Sequence, residues 1–256
     1  MENVLIHYAN KVATITLNRP DQLNAMNEQL LKELNDALEE VKRSDAQIVV
    51  LTGAGRAFSA GGDMKMMLNS DSPESFKNVM EAIKQIALNF YSLPKITIAK
   101  INGASAGLGL SLALAADFII AKSDAKVAMN FIGIGLIPDG AGHFLMEQRL
   151  GTHKAKQTIW EGKVMTAAEA MDKGIIDLAV EENLDDVVEQ RVNDLLASPI
   201  LAMIESKNIL HSQHVDKLAA ILDAETKGQL AMRQTKDHQE GVQAFLEKRK
   251  PDFKGE

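Results

Sequence analysis

Hydrophobic and polar residues follow one another in the first part of the chain in a pattern typical of an α/β protein. Residues 4–8 and 12–17 are short runs with β-branched side chains, and the short link between them predicts a hairpin. From residue 27 to residue 43, leucine and valine recur at helical spacing, which predicts an amphipathic helix. The apolar runs at residues 47–51 and 96–101 favour parallel strands that are covered on both faces.

The alternation of strands and helices continues to about residue 180 and then gives way to helix. The other predicted elements are helices at residues 74–88 and 107–116, strands at residues 118–121 and 126–129, and an exposed mobile loop at residues 69–75. From residue 185 the apolar stripes of the helices need a covering surface, either another copy of the chain or the chain's own sheet. We therefore predict an α/β core at residues 1–195 and a C-terminal helical region at residues 196–256.

Composition and charge exclude several classes of function. The net charge of -7 argues against general nucleic-acid binding, which needs a basic surface. The absence of cysteine excludes disulfides, thiolate nucleophiles and cysteine-bound metals, and it suits a reducing compartment. The uncharged run at residues 101–116 is shorter than the ~20 residues that cross a bilayer. Since the N-terminal residues do not resemble a secretory signal either, we expect a cytoplasmic protein without a membrane partner.

Two glycine-bearing segments, residues 56–63 and 102–109, each follow an apolar strand and precede a predicted helix. Glycine lets the backbone approach a ligand closely, and amides at a helix start carry partial positive charge. If the two strands are neighbours, one amide from each segment could bind the same oxygen as an oxyanion hole, worth ~3 to 4 kcal/mol per donor. The alternative is that these glycines only form turns.

The second segment also contains the pattern G-x-S-x-G, with Ser105 at its centre, in the strand, turn and helix order of a hydrolase nucleophile. Such an enzyme also needs a downstream acid and histidine. The residues that could supply them are Asp139 or Asp177 and His211 or His238. Because no His-Gly-Gly type loop lies upstream to form the oxyanion hole, we consider a hydrolase the weaker interpretation.

Asp139 is a lone carboxylate among the apolar and glycine residues at 133–142. Burial would raise the pKa of its carboxyl group and let it remove and return protons at carbon. The alternative is that Pro138, Asp139 and Gly140 form an ordinary turn. His211 and His214 have the spacing of one helix face but no evident third ligand, so we predict no metal site.

Several separated motifs together resemble the crotonase superfamily, the enoyl-CoA hydratase/isomerase family, along nearly the whole chain. The matching stretches are residues 15–20, 23–26, 57–63, 102–117, 162–163, 167–170, 174–177 and 240–249. The resemblance implies an α/β fold built as a spiral of ββα units, with a C-terminal helical region that forms trimers. It also implies a homotrimer, or a hexamer made of two trimers.

The resemblance further implies an acyl-CoA substrate, with coenzyme A entering as part of the thioester and no separate cofactor. The backbone amides of Ala60 and Leu108 would bind the thioester oxygen, and Ser105 would be a small loop residue. The other residues expected to contact the substrate or coenzyme A are Leu23, Ala25, Gly61, Gly62, Asp63, Met64 and Phe131, together with Ala60 itself.

The catalytic acids differ from those of the hydratases that the chain resembles. Hydratases carry glutamates at the positions of Ser111 and Phe131, whereas Asp139 aligns with the single acid of the family's isomerases, including those of phenylacetate breakdown. One carboxylate can remove a proton from one carbon and deliver it to another. The resemblance therefore favours an enoyl-CoA isomerase with Asp139 as acid and base. The alternatives are a hydratase or lyase that uses another acid and a noncatalytic acyl-CoA-binding protein.

Overall fold

The computed structural model describes residues 2–64, 73–181 and 183–256. The strands are β1 (Val4–Ala9), β2 (Val12–Leu17), β3 (Ile48–Gly53), β4 (Ala57–Ser59), β5 (Ile96–Ile101), β6 (Ala104–Ala106), β7 (Phe118–Lys122), β8 (Lys126–Ala128), β9 (Met165–Thr166) and β10 (Leu178–Val180). The helices are α1 (Glu28–Arg43), α2 (Pro73–Tyr91), α3 (Leu108–Leu114), α4 (Gly142–Glu161), α5 (Ala167–Asp172), α6 (Leu184–Leu196), α7 (Ile200–Ser212), α8 (Val215–Met232) and α9 (Lys236–Glu247). The α/β prediction is confirmed.

The larger sheet has the strand order β1-β2-β3-β5-β7-β10, with the opening hairpin at one edge and parallel pairing from β2 onward. Its central strands are covered on both faces, as their continuous apolar runs predict. Val49 and Leu51 of β3 face the main core, which α1 and α2 complete. Ile48 and Val50, which point the other way, join a second core with α6.

Most of the helical C-terminal third packs on its own chain. Val188 and Val192 of α6 belong to the second core, and Leu218 and Leu222 of α8 belong to the main core. The sequence left open whether these apolar stripes are covered by another copy of the chain or by the chain itself. The structure shows that the chain's own core covers them. None of the helices within residues 2–64, 73–181 and 183–256 combines the length and the hydrophobicity that a membrane span requires. The division of the chain at residue 195 and the trimer stay predictions.

Two details differ from the sequence prediction. No strand was predicted within the two glycine-bearing segments, yet each contains a short one, β4 in the first and β6 in the second. These strands pair in parallel within a second sheet of order β4-β6-β8-β9, and this pairing brings the two segments together. Of the predicted loop at residues 69–75, the first four residues lie outside the described part of the chain, and the last three begin α2.

The side chain of Asn24 forms hydrogen bonds that link two backbone segments next to the first glycine-bearing segment. It is fully buried and has a φ of 56°, a left-handed conformation that asparagine tolerates better than most residues. Its side-chain oxygen accepts from the Arg19 amide at 2.8 Å, and its Nδ2 donates to the carbonyls of Ala54 at 2.9 Å and Ala57 at 2.8 Å. The start of β4 is thereby tied to the segment that follows β2.

Replacing Asn24 by alanine should lower the free energy of unfolding by about 2–3 kcal/mol, because buried backbone partners lose their hydrogen bonds. Denaturant unfolding followed by circular dichroism would measure the change. The matched control is Asn208→Ala, which removes only a 3.5 Å contact with Glu205 near the surface of α7 and should change stability by less than about 0.5 kcal/mol. Equal stability of the two variants would contradict the anchoring role.

Candidate active site

The ends of β4 and β6 bring two backbone segments into direct contact. A Cβ atom added to Gly61 would lie 2.6 Å from the Ala106 carbonyl oxygen and 3.4 Å from the Leu108 nitrogen. A Cβ atom added to Gly109 would lie 2.6 Å from the Ser59 carbonyl oxygen. Contacts under 3.0 Å leave no room for a side chain, so these glycines are required by close approach and not by turns alone.

The amide of Ala60 does not point into this junction, which contradicts the prediction that it binds a substrate oxygen. Its N–H donates to the Leu23 carbonyl oxygen at 2.9 Å, and the next amide, that of Gly61, donates to Ser59 Oγ at 3.1 Å. The following amide, that of Gly62, has no hydrogen-bond acceptor among the described residues. Met26 pairs instead with the residues on either side of Gly62. Its amide donates to the Gly61 carbonyl, and its carbonyl accepts from the Asp63 amide.

Leu108 is the first residue of α3, so its amide has no carbonyl to bind within the helix. The positive end of the helix dipole adds to the partial charge of this N–H. Gly107 precedes it with a φ of 52°, a conformation that glycine adopts without strain. The unengaged amides of Gly62 and Leu108, one from each segment, are thus the pair that could hold a single oxygen atom.

A cavity of about 330 Å³ opens at this junction. Its lining includes seven predicted site residues, namely Ala60, Gly61, Gly62, Met64, Leu108, Phe131 and Asp139. The other lining residues are Gly107, Asn130, Gly133, Ile134, Leu136, Gly162, Val164 and Phe245. Among the lining residues that the structure describes, Asp139 has the one ionisable side chain, and most of its neighbours are apolar.

Three of the residues that were predicted to contact the substrate do not line this cavity. They are Leu23, Ala25 and Asp63, which form hydrogen bonds or ion pairs that hold the first glycine-bearing segment. The Arg19 guanidinium donates to the Ala25 carbonyl and forms an ion pair with Asp63, with Nη1 2.9 Å from Oδ2. The Leu23 carbonyl accepts from the Ala60 amide. The structure therefore gives these residues a role in shaping the loop, and their contact with coenzyme A stays a prediction.

Asp139 has an unusual environment for a carboxylate. Its Oδ1 atom is buried and has no hydrogen-bond partner among the described residues. Burial raises the pKa of the Asp139 carboxyl group well above its ordinary value, and the nearby negative charge of Glu225 raises it further. Leaving a buried acceptor unsatisfied costs about 1–3 kcal/mol, so such groups are uncommon outside functional sites.

The two positions where a hydratase would carry its acids are closed by packing. Ser111 is fully buried, with its hydroxyl 3.8 Å from the Met129 sulfur. The loop after Asp139 lies directly over it, since a Cβ atom at Gly140 would be 3.3 Å from the Ser111 Cβ. Phe131 is also buried and packs on Gly107. Both sites are therefore filled by uncharged side chains.

Glu225 is a site residue that the sequence prediction missed. Only 2% of its surface is exposed, although it is a carboxylate on the long helix α8. The signal was present in the helical stripe that begins with Leu218 and Leu222, because Glu225 and Gln229 continue that stripe at positions where apolar residues are expected. A polar pair on a buried helix face needs partners in the core.

The hydrolase alternative is contradicted by the surroundings of Ser105. Its side chain is fully buried, and its hydroxyl has no hydrogen-bond partner among the described residues. The candidate histidines bind elsewhere, His211 to the Tyr91 carbonyl at 2.7 Å and His238 to the Ile134 carbonyl at 2.8 Å. Asp177 is paired with Arg149. Within residues 2–64, 73–181 and 183–256, no group of three histidine, aspartate or glutamate residues is placed to hold a metal ion.

Comparison with known proteins gives consistent matches over almost the full length. A family model described as enoyl-CoA hydratase/isomerase matches residues 7–256. YhaR of Bacillus subtilis, whose provisional name is enoyl-CoA hydratase/isomerase, is 51% identical over 94% of this chain and 95% of its own. The 1,2-epoxyphenylacetyl-CoA isomerase of Escherichia coli is 35% identical over 100% and 99%. The crystal structure of an enoyl-CoA hydratase from Mycobacterium avium subsp. paratuberculosis superposes with a TM-score of 0.88 at 27% identity, covering 98% of each chain.

The close contact between the two segments can be tested with Gly109→Ala. In an open helix this change would stabilise by about 1 kcal/mol. Here the new methyl group would press on the Ser59 carbonyl, so we expect a net loss of about 1–3 kcal/mol in denaturant unfolding. The control is Gly133→Ala, where no atom lies within 4 Å of the added carbon. If both variants unfold at the same denaturant concentration, the segments are not in the contact described.

Proposed function

The chain belongs to the enoyl-CoA hydratase/isomerase family, and we propose that it is an enoyl-CoA isomerase in which Asp139 is the single acid and base. The proposed reaction moves the carbon–carbon double bond of an enoyl thioester. The observation that carries the proposal is the composition of the cavity, where Asp139 is the one ionisable side chain among the described lining residues.

The proposed reaction begins with removal of a C2 proton from a 3-enoyl-CoA by the Asp139 carboxylate. The electrons of the C–H bond move toward the thioester and form a dienolate with negative charge on the carbonyl oxygen. The protonated Asp139 then gives the same proton to C4, which leaves the double bond between C2 and C3. No water or second acid is consumed, so one carboxyl group suffices.

The dienolate oxygen would be held by the amides of Gly62 and Leu108, in place of the Ala60 and Leu108 pair predicted from the sequence. Backbone donors that are already in place need no reorganisation when the charge develops, which is why such sites can contribute ~3 to 4 kcal/mol per donor. Leu108 adds the positive end of α3 to this environment. Its side chain is not needed for this role.

The raised pKa of Asp139 suits a group that must take a proton from carbon. A carboxylate is the base only after it has lost its proton. For this reason kcat/KM in the 3-enoyl to 2-enoyl direction should rise with pH through the raised pKa of the free enzyme and fall as the pH is lowered below it. The same raised pKa makes the protonated form available for delivery to C4.

Hydration is the less favoured activity for this cavity, because adding water needs one group to orient the water and another to shuttle a proton. Ser111 and Phe131 offer neither. Incubation of the protein with 3-enoyl-CoA and 2-enoyl-CoA in separate assays distinguishes the alternatives. A moved double bond supports the proposal, whereas addition of water would make the protein a hydratase and binding without reaction would make it a noncatalytic acyl-CoA-binding protein.

Assembly and location also belong to the proposal. We propose a homotrimer or a hexamer, a cytoplasmic location, and coenzyme A as part of the substrate with no separate cofactor. Leu201, Ile209 and Leu210 of α7 are exposed apolar residues whose burial between copies would be favourable. Light scattering would give the mass of the assembly, and a monomer would contradict the proposal on this point.

Asp139→Asn keeps the shape of the side chain and removes its ability to take up a proton. We expect double-bond isomerisation to fall by about 10²–10⁴-fold or more, with little change in melting temperature. Spectrophotometric assay with 3-enoyl-CoA measures the loss. The matched control Asp172→Asn changes an exposed aspartate at the end of α5 and should leave turnover unchanged. Retained isomerase activity in Asp139→Asn would remove Asp139 from the mechanism.

A further inference from the structure

One face of α8 holds the backbone on both sides of Asp139. Gln229 donates through Nε2 to the carbonyl of Ile137, two residues before Asp139. Glu225 accepts through Oε2 from the amide of Ala141, two residues after it, at 2.8 Å. Helix α8 is therefore bonded to the Asp139 loop from both directions.

We propose that Glu225 is a positioning residue for Asp139, whose carboxylate fixes the Asp139 loop and places a second negative charge behind the Asp139 carboxyl group. This inference rests on the proposed role of Asp139 in isomerisation. Glu225 does not line the cavity, so it acts through Asp139 and not on the substrate.

The burial of Glu225 is compensated by an arrangement of donors that all belong to one turn. Besides the Ala141 amide, the His143 amide lies 3.1 Å from Oε1 and His143 Nδ1 lies 2.8 Å from the same oxygen. These groups form the start of α4, where unpaired amides and the helix dipole favour an anion. Glu225 thus accepts hydrogen bonds from the backbone amides at the start of α4, where the N-cap residue Ala141 offers no side-chain acceptor.

The Asp139 loop needs such support because of its backbone conformation. Gly140 and Ala141 both have positive φ angles, 62° and 69°. The second of these is unfavourable by ~1–2 kcal/mol for a residue with a Cβ atom. The loop also packs against the side chain of Leu108, the residue whose amide belongs to the proposed oxyanion hole, since a Cβ atom at Gly140 would lie 2.5 Å from Leu108 Cδ1. Any shift of the loop would therefore change the position of Asp139 relative to the Leu108 amide.

The charge of Glu225 acts on Asp139 as well. Burial is the first cause of the raised pKa of Asp139, and the charge of Glu225 is the second. Among the charged and titratable groups of the described residues, Glu225 is the one whose charge shifts the pKa of Asp139, and His143 faces Glu225 from α4. Removing the Glu225 charge should therefore lower the pKa of Asp139, which yields a base that ionises at lower pH and binds a proton less strongly.

The pH profiles of two variants separate the charge of Glu225 from its position. Glu225→Gln keeps the length, removes the charge and replaces one accepting oxygen by an NH2 group, so the acidic limb of the kcat/KM profile should move to lower pH, with kcat reduced by about tenfold. Glu225→Asp keeps the charge but is too short to reach both amides, so kcat should fall while the acidic limb stays in place. In both variants KM should change less than threefold, because the cavity lining is untouched.

The matched control is Glu205→Gln, the same chemical change at an exposed glutamate of α7, which should reproduce the wild-type profile. Should Glu225→Gln fail to fold, as judged by its melting transition, Gln229→Met tests the positioning without altering any charge. It should lower kcat with an unmoved acidic limb. Glu225→Asp and Gln229→Met with wild-type kcat would then overturn the inference.

A folded Glu225→Gln variant with the wild-type pH profile and kcat would also overturn it. That result differs from a failure of the proposed function, in which the wild-type protein does not isomerise 3-enoyl-CoA or Asp139→Asn retains activity. The first outcome would leave Asp139 as the base and remove only Glu225, whereas the second would leave no isomerisation for Glu225 to support.

Discussion

The structure depends on the close approach of two backbone segments, the one that follows β4 and the one that follows β6. Their distance is limited by Gly61 and Gly109, because any side chain at either position would meet a carbonyl oxygen of the other segment at 2.6 Å. The parallel pairing of the two short strands sets the register, and the start of α3 then places the Leu108 nitrogen next to Gly61, 3.4 Å from where a Cβ atom of that residue would lie. The larger sheet and its covering helices serve to hold these strands in place.

Much of this arrangement could be predicted from the sequence because it is encoded locally. The apolar runs of β3 and β5 indicate strands buried on both faces, and Asn27 caps α1 through its side chain as a helix start predicts. The glycine clusters mark the two segments. The family match over residues 7–256 then accounts for the order of these motifs along the chain.

Which amide of the first glycine-bearing segment is left without an acceptor could not be predicted, since this depends on a residue that is distant from the segment in sequence. The Ala60 and Gly62 amides lie in the same small-residue motif. The Leu23 carbonyl, 37 positions before Ala60, accepts the hydrogen bond of the Ala60 amide and leaves that of Gly62 unused.

Glu225 was missed for a related reason. Its carboxylate oxygens meet the amide donors of Ala141 and His143 only when α8 is packed against the start of α4, although the polar interruption of an apolar stripe gave a detectable sign. The different roles proposed for the two carboxyl groups rest on the donors around them: Glu225 accepts hydrogen bonds at both oxygens, whereas Asp139 has one buried oxygen without a partner among the described residues.

The bonds from α8 to the Asp139 loop also have a consequence for the way the protein is made. Glu225 is separated from Ala141 by 84 positions, so the loop and its support emerge from the ribosome at different times. A nascent chain that has completed both sheets but not yet α8 would carry Asp139, the proposed base, on an unsupported turn. The hydrogen bonds from α8 to this loop therefore form late in synthesis, and contacts of such long sequence separation are among the slower ones to form during folding.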